Sequence, residues 1–364
     1  MAKYIHEHPE YPYFTWQDIT ETNMLTDLSL LQGMLLGKMQ QFGFGDQNAV
    51  MLNALTEEIT KSSEIEGELL DSEKVRSSLA RRLNIKLDNP APESHHIDGI
   101  VQTLMDAVTN YDKPLTKERL CSWHAALFPT GYSGMHKIRV GDYRDGEMQV
   151  VSVKSYEDKV HYEAPTPDKV HEQMDVFLSW INADTNENPI IRAAVAHLWF
   201  VIIHPFDDGN GRIARTITEM LLARAEKSHL RFYSMSAQIQ KEKREYYKIL
   251  EMTTTGGMDI TGWIKWFCSC LTNTISASIQ ITRDILFKSE FWQKYAEQIT
   301  NMYQRQIMNL LLDGFVGNMT SSKVAKILKV SQDTATRMLQ ELTQQGFLEK
   351  RGAGRSTHYV KADK

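Results

Sequence analysis

Between residues 204 and 215 the chain runs His-Pro-Phe-Asp-Asp-Gly-Asn-Gly-Arg-Ile-Ala-Arg, a set of residue types suited to handling a nucleotide polyphosphate. Gly209, Asn210 and Gly211 tolerate positive φ, so successive backbone N–H groups can converge into a cradle for an anion. Apolar residues at 213, 217, 220 and 221 mark an amphipathic helix directly after it, whose dipole adds to the cradle. Arg212 falls in the first turn of that helix, where a cation opposes the dipole by ~0.3–1 kcal/mol unless an anion lies close. Arg212 and Arg215 stand at i and i+3 and project from nearly one face, and each can grip phosphate through two oxygens. Asp208 offers a hard oxygen ligand for Mg²⁺, the usual companion of nucleotide phosphates. His204, with an ordinary pKa near neutrality, is placed to act as a general base. A plain helix–loop–helix corner with a satisfied core histidine would account for any one of these features; their coincidence within one short stretch favours a nucleotide site.

The elements that must position these residues are helical almost throughout. Residues 190–203, IIRAAVAHLWFVII, are so apolar that they predict a buried helix ending at His204. Leucine patterning predicts a helix over Leu25–Phe42 and a second over about 47–67, with a proline-bearing loop over 84–97 and helices over 98–111 and 116–128. One region reads as strand: Gly141 to Glu163 alternates, carries the turn residues Asp145-Gly146, and contains the β-branched run Gln149–Val153. Gly33–Met39 imitates a phosphate loop but is one residue short and lacks the hydroxyl residue, so it reads as core helix.

Composition narrows the class. With 364 residues, 42% hydrophobic and 24% charged, the chain is globular and long enough for two or three domains. Net charge is −5, yet residues 300–364 alone carry a surplus of five positive charges, so a basic module follows an acidic body. Cys121, Cys268 and Cys270 are too few for a disulfide framework and fit a reducing compartment; Cys268-Ser269-Cys270 lacks metal-ligand spacing and reads as core. The N-terminal residues lack the apolar region of an export signal, and the longest apolar run, Ala193–Ile203, is far short of the ~20 residues of a membrane span, so a cytoplasmic protein without membrane contact is expected.

HPFDDGNGRIAR resembles the signature of Fic-domain proteins, HxFx(D/E)GNGRxxR, at every specified position. The resemblance implies a mainly α fold, a Fic helical core with a small β-hairpin flap, and transfer of AMP from ATP to a Ser, Thr or Tyr hydroxyl of a target protein. Carried over, it makes His204 the base, Asp208 the Mg²⁺ ligand, Gly209, Asn210 and Gly211 the phosphate cradle, and Arg212 and Arg215 the holders of the outer phosphates. Val150, Val151 and Ser152 look like the edge of the flap that registers an extended target segment. Tyr246 and Tyr247 resemble the pair near the adenine, although core packing of one of them is an equal alternative. Fic proteins often form dimers, which raises a homodimer here without indicating its interface.

In the helix over about 47–67 the inward stripe Leu52, Leu55, Ile59, Ser62 continues to position 66, which is Glu, with the helix stop Gly67 after it. By pattern alone a frayed last turn with a solvated Glu66 is the simpler account. Ser62-Ser63-Glu64-Ile65-Glu66-Gly67 resembles, however, the inhibitory motif (S/T)xxxE(G/N) of many Fic proteins, which implies that Glu66 pairs with Arg215 and blocks productive ATP binding. De-AMPylation with the same glutamate is an alternative, as is a nucleotide-sensing DNA-binding regulator. Residues 303–360 read as three helices (Gln304–Asp313, Ser321–Leu328, Ser331–Gln345) and a hairpin, and resemble a winged helix-turn-helix. Ala335, Met338, Leu339 and Leu342 of the third helix are expected to face inward and Gln332, Thr336, Arg337 and Gln340 outward, with Lys350, Arg351 and Arg355 on the wing. DNA contact is open there, with protein docking favoured by the modest charge. The expected organisation is a helical region over 1–95 bearing the inhibitory helix, a Fic domain over 96–290 and the winged helix over 300–364. The opening YPYFTW resembles the domain that accompanies this Fic subgroup.

Overall fold

The computed structural model describes residues 2–17, 23–87, 89–154, 157–312, 315 and 317–362. The chain divides into two units, 1–278 and 279–364. The first unit contains α1 (Met24–Met39), α2 (Phe44–Ile65), α3 (Ser72–Arg82), α4 (His95–Thr109) and α5 (Lys117–Leu127), then two antiparallel hairpins, β1 (Tyr132–Ser133) with β2 (His136–Lys137) and β3 (Gln149–Lys154) with β4 (Glu157–Glu163). There follow α6 (Pro167–Asn182), α7 (Pro189–Ile203), α8 (Asn210–Glu226), α9 (Met235–Lys241), α10 (Lys243–Thr254) and α11 (Thr261–Tyr295), within which the boundary falls. Among the described residues no helix is long and apolar enough to cross a membrane.

α7 is the axis of this unit. Asn188 caps it by accepting from the Ile190 N–H at 2.9 Å, and Pro189 occupies the first helical position, where its missing N–H costs nothing. Every residue from Ile190 to Phe200 is buried, as an apolar helix without a polar face requires. Its one histidine, His197, is satisfied inside the core, at 2.9 Å from both Thr218 Oγ1 of α8 and the Tyr246 hydroxyl of α10. α8 packs along α7, and the apolar positions read from the sequence, Ile213, Ile217, Met220 and Leu221, are all buried, as is Ala214.

The flanking pieces fix the ends of these two helices. Near the N-terminus His6 lies 2.9 Å from the Tyr162 hydroxyl of β4, and that hydroxyl donates to the Ile202 carbonyl at 2.8 Å, two residues before His204. Thr15 donates to and accepts from the backbone of residues 258 and 260 at 2.8 Å. α2 lies along α9, and its buried Glu58 accepts from Ser234 Oγ at 2.8 Å, the Ser236 N–H at 2.9 Å and the Ser236 hydroxyl. A buried carboxylate so satisfied anchors the helix that ends at position 65.

The second unit completes the chain with α12 (Met302–Leu312), α13 (Ser321–Leu328), α14 (Gln332–Gln344) and the antiparallel pair β5 (Leu348–Arg351) and β6 (His358–Lys361). Ile307, Met308, Val324, Leu339, Leu342 and Phe347 form its core. Ala335 and Met338 are buried with them, whereas Gln332, Arg337 and Gln340 are exposed and Thr336 is half-buried. Tyr359 of β6 donates its N–H to the Met319 carbonyl at 2.8 Å, tying the hairpin to the α12–α13 connection. Asp313 and the Arg355 side chain lie outside the described residues.

Replacing Glu58 by Ala strands one backbone N–H and two hydroxyls in the core, so a loss of about 3 kcal/mol of unfolding free energy is expected. Urea unfolding followed by circular dichroism measures it, and Glu58→Gln, which keeps an acceptor, loses less.

Candidate functional site

The site is the turn between α7 and α8. His204 closes α7 with φ 50, a left-handed conformation that reverses the chain after one residue. Asn210 then staples the turn: its Oδ1 accepts from the Phe206 N–H at 3.0 Å and its Nδ2 donates to the Phe206 carbonyl at 2.7 Å. Gly209, at φ 80, caps α8 and packs so closely that an added Cβ would lie 2.8 Å from the Phe128 ring. The glycines therefore serve backbone geometry first, and the N–H groups of the α8 N-terminus converge as a consequence.

Arg144 braces the turn from behind. It is buried among carbonyls, donating through Nε to His204 O at 2.8 Å, through Nη1 to Gly146 O at 2.8 Å and through Nη2 to Pro165 O at 2.5 Å; its own N–H reaches Pro205 O at 2.8 Å. His124 of α5 braces it from the other side. Gly141 N–H donates to its Nδ1 at 3.1 Å, so the proton resides on Nε2, which lies 3.2 Å from the Asp208 carbonyl. The ring stacks on Phe206 with centroids 4.2 Å apart, and burial pulls its pKa down to about 4.

His204 Nδ1 lies 3.1 Å from the Val201 carbonyl, which only accepts, so the proton sits on Nδ1 and Nε2 carries the free lone pair. Burial lowers its pKa below the usual histidine range, the Val201 hydrogen bond opposing, so the imidazole is neutral at physiological pH. Asp208 accepts the Gly209 N–H at 2.5 Å through Oδ1 and the Ser133 hydroxyl through Oδ2. Among the described residues no group of three or more metal-ligating side chains occurs. A single carboxylate still suits Mg²⁺, which keeps waters and phosphate oxygens in its shell.

The two arginines of α8 are buried and each meets a carboxylate. Arg215 donates through Nη2 to Glu66 Oε1 at 2.7 Å and to the Ser62 carbonyl at 2.9 Å, and through Nε to Ser62 Oγ at 2.8 Å. Arg212 donates through Nη1 to Glu68 Oε2 at 2.8 Å, and its guanidinium lies over the Phe128 ring. One nitrogen of each, Arg212 Nε and Arg215 Nη1, is buried without a hydrogen-bond partner, so the pair retains donor capacity for an anion. A cleft of about 570 Å³ opens here, lined by Glu66, Glu68, His96, Phe128, Asp208 and Arg212 among others.

The residues singled out from the sequence thus fall in three places. His204 through Arg215, with Ser62 and Glu66, converge on the turn. Val150 and Val151 belong to β3, where Val151 pairs with Val160 of β4 across a register shift and both are exposed. Ser152 is paired in register with Lys159, and its side chain lies outside the described residues. Tyr246 is core, packed near Trp263 and Trp266, whereas Tyr247 is part-exposed with its hydroxyl donating to the Ile65 carbonyl at 3.3 Å. Arg144, His124, Ser133, Glu68 and His96 escaped sequence reasoning. Only Glu68 left a signal, a second carboxylate just past Gly67.

Comparison with known proteins finds relatives of the chain at the level of family and fold. Residues 114–222 match the Fic/DOC family model, and residues 4–85 match a domain of unknown function (DUF4172). The chain is 32% identical over 149 residues to a protein adenylyltransferase Fic of Nematostella vectensis, covering 40% of this chain and 31% of that one. It is 25% identical over 239 residues to one of Aedes aegypti, covering 64% and 43%. The chain thus spans less than half the length of these curated relatives. Among solved structures, a Fic family protein from Desulfovibrio desulfuricans superposes with a TM-score of 0.55 at 18% identity, over 97% of this chain and 98% of that one. A Fic domain containing signaling protein from Bacteroides thetaiotaomicron gives 0.53 at 19% identity, over 70% and 96%.

Neutral His124 makes the turn acid-sensitive. Its folded pKa of about 4 lies below the unfolded value of 6.5, so the unfolded chain binds more protons between them. Its contribution is complete above pH 6.5 and is lost as pH falls toward 4, by an amount on the order of 3 kcal/mol. Urea midpoints measured across that range are expected to fall less steeply in His124→Gln, whose amide can donate and accept without titrating.

Proposed function

We propose that this chain, which carries a Fic domain over residues 114–222, transfers AMP from ATP to a Ser, Thr or Tyr hydroxyl of a target protein, and is held at rest by Glu66 on Arg215. The observation that carries it is the 2.7 Å Glu66–Arg215 pair, which joins the end of α2 to the His204–Arg215 signature at the start of α8. In the reaction the target hydroxyl oxygen attacks the α-phosphorus and the bond from that phosphorus to the bridging oxygen of pyrophosphate breaks. His204 Nε2, the lone-pair nitrogen, accepts the hydroxyl proton. The N–H groups around Gly209, Asn210 and Gly211 receive phosphate oxygens, and Arg212 and Arg215 balance the charge that accumulates on departing pyrophosphate. Asp208 would hold Mg²⁺, which supplies charge neutralisation between phosphates.

While Glu66 holds Arg215, a phosphate cannot take the same donors, and a misplacement of ~1 Å at the reacting phosphorus costs about 10²-fold in rate. Tyr247, part-exposed beside Ile65, is the tyrosine that can meet the adenine. Among the described residues β3 pairs with β4 alone, so its other edge at Val150, Val151 and Ser152 supports backbone pairing with an extended target segment. We take residues 303–360 as a winged helix able to meet DNA phosphates through exposed Lys350 and Arg351, with a homodimer as a further partner state. The free cysteines support a cytoplasmic location.

The test uses purified parent, Glu66→Gly and Glu66→Gly/His204→Ala proteins with Mg²⁺ and α-labelled ATP, following label on the protein and on lysate proteins. Label is expected to rise at least tenfold in Glu66→Gly and to vanish with His204→Ala. Equal labelling of parent and Glu66→Gly would refute the latch, and label that survives His204→Ala would refute the base.

A further inference from the structure

Glu66 is not alone on the cradle. α2 ends in a double hydrogen-bonded turn: Gly67 N–H donates to Glu64 O at 3.0 Å, Glu68 N–H donates to Ser63 O at 2.9 Å, and Gly67 takes φ +88. That cap fixes Glu66 and Glu68 on either side of one glycine. Glu66 reaches Arg215 at 2.7 Å, and Glu68 reaches Arg212 at 2.8 Å through Oε2. The other Glu68 oxygen, Oε1, lies 2.6 Å from His96 Nε2 at the start of α4. Both oxygens of Glu68 are thus committed, one to a neighbouring helix and one to the cation of the first turn of α8.

From this juxtaposition we propose that Glu68, seated by His96, is a second inhibitory carboxylate, holding Arg212 as Glu66 holds Arg215, and that the shared cap makes the two leave together. The inference rests on the reading of Arg212 and Arg215 as phosphate-binding groups. An ion pair on open surface would contribute ~0–1 kcal/mol and control nothing. This one differs, because the Arg212 side chain is only 9% exposed and its Nε has no partner, so the group has little water to fall back on. An anion must sit there to offset the α8 dipole, and at rest Glu68 is that anion. The His96 hydrogen bond and the Arg212 charge hold the Glu68 carboxyl below the usual range, burial and Asp208 opposing, so it is ionised when it does so. The two carboxylates stand where two phosphates would, and an incoming nucleotide has to displace both. Removing Glu66 alone leaves Arg212 occupied and release incomplete.

The experiment measures binding rather than transfer. Calorimetry with Mg²⁺ and the non-transferable α,β-methylene analogue of ATP is run on parent, Glu66→Gly, Glu68→Gln, Glu66→Gly/Glu68→Gln and Glu66→Gly/His96→Phe proteins, with adenosine as the phosphate-free control and thermal melts to confirm folding. The Glu66→Gly/Glu68→Gln protein is expected to bind the analogue about tenfold more tightly than Glu66→Gly, as loss of a charge-assisted competitor implies. His96→Phe in the Glu66→Gly background should give part of that gain, and adenosine should not distinguish the variants. Analogue affinity equal in Glu66→Gly and the double variant overturns the second latch while leaving the first intact. A gain with adenosine as large as with the analogue overturns it too, since the effect would not act through phosphate. No binding by any variant overturns the nucleotide reading itself, and the second latch with it.

Discussion

A guanidinium buried at the positive end of a helix is unfavourable unless negative charge meets it, and α8 begins with two, Arg212 and Arg215. The surroundings are arranged around that demand. Two carboxylates from the end of α2 supply the charge, Ser62 fills part of the remaining donor capacity, and one nitrogen of each guanidinium is still left over. The pair is therefore satisfied in charge but not in hydrogen bonds, which leaves donor capacity for a group richer in oxygen than a carboxylate.

The turn itself is held by side chains that bond to backbone. Arg144 stitches carbonyls of His204, Gly146 and Pro165 together, Asn210 closes the loop on Phe206, and His124 bridges Gly141 to Asp208. None of these is a charge pair; each is a neutral or charge-assisted hydrogen bond to backbone. That choice fixes the loop without adding another carboxylate beside the arginines, which would compete for them. The neutral His124 ring, stacked on Phe206, braces the loop without adding charge.

What could be read from the sequence was what is contiguous. The turn, its glycines, the two arginines and His204 lie within one stretch, and the apolar run before them announces a core helix that ends at His204. Glu66 is visible only because it breaks an apolar stripe, and by pattern alone that break favours a solvated side chain. Arg144 and His204 stand 60 residues apart, and Glu68 and Arg212 stand 144 apart, so no local pattern links them. Tyr246 and Tyr247 are adjacent, yet one is core and the other borders the end of α2; which is which depends on how α10 packs, not on either residue type. The short β1–β2 hairpin, which brings Ser133 to Asp208, has only two residues per strand and no alternation to detect.

Gly211 carries a consequence of its own. A methyl group built there would collide with Glu66 Oε1 and lie 3.1 Å from Arg215 Nη1. The space that admits the Glu66 carboxylate beside the guanidinium is thus the space a side chain at position 211 would fill. Any residue larger than glycine at position 211 would have to push Glu66 off Arg215, so the contact between α2 and α8 depends on a missing side chain as much as on the two charges.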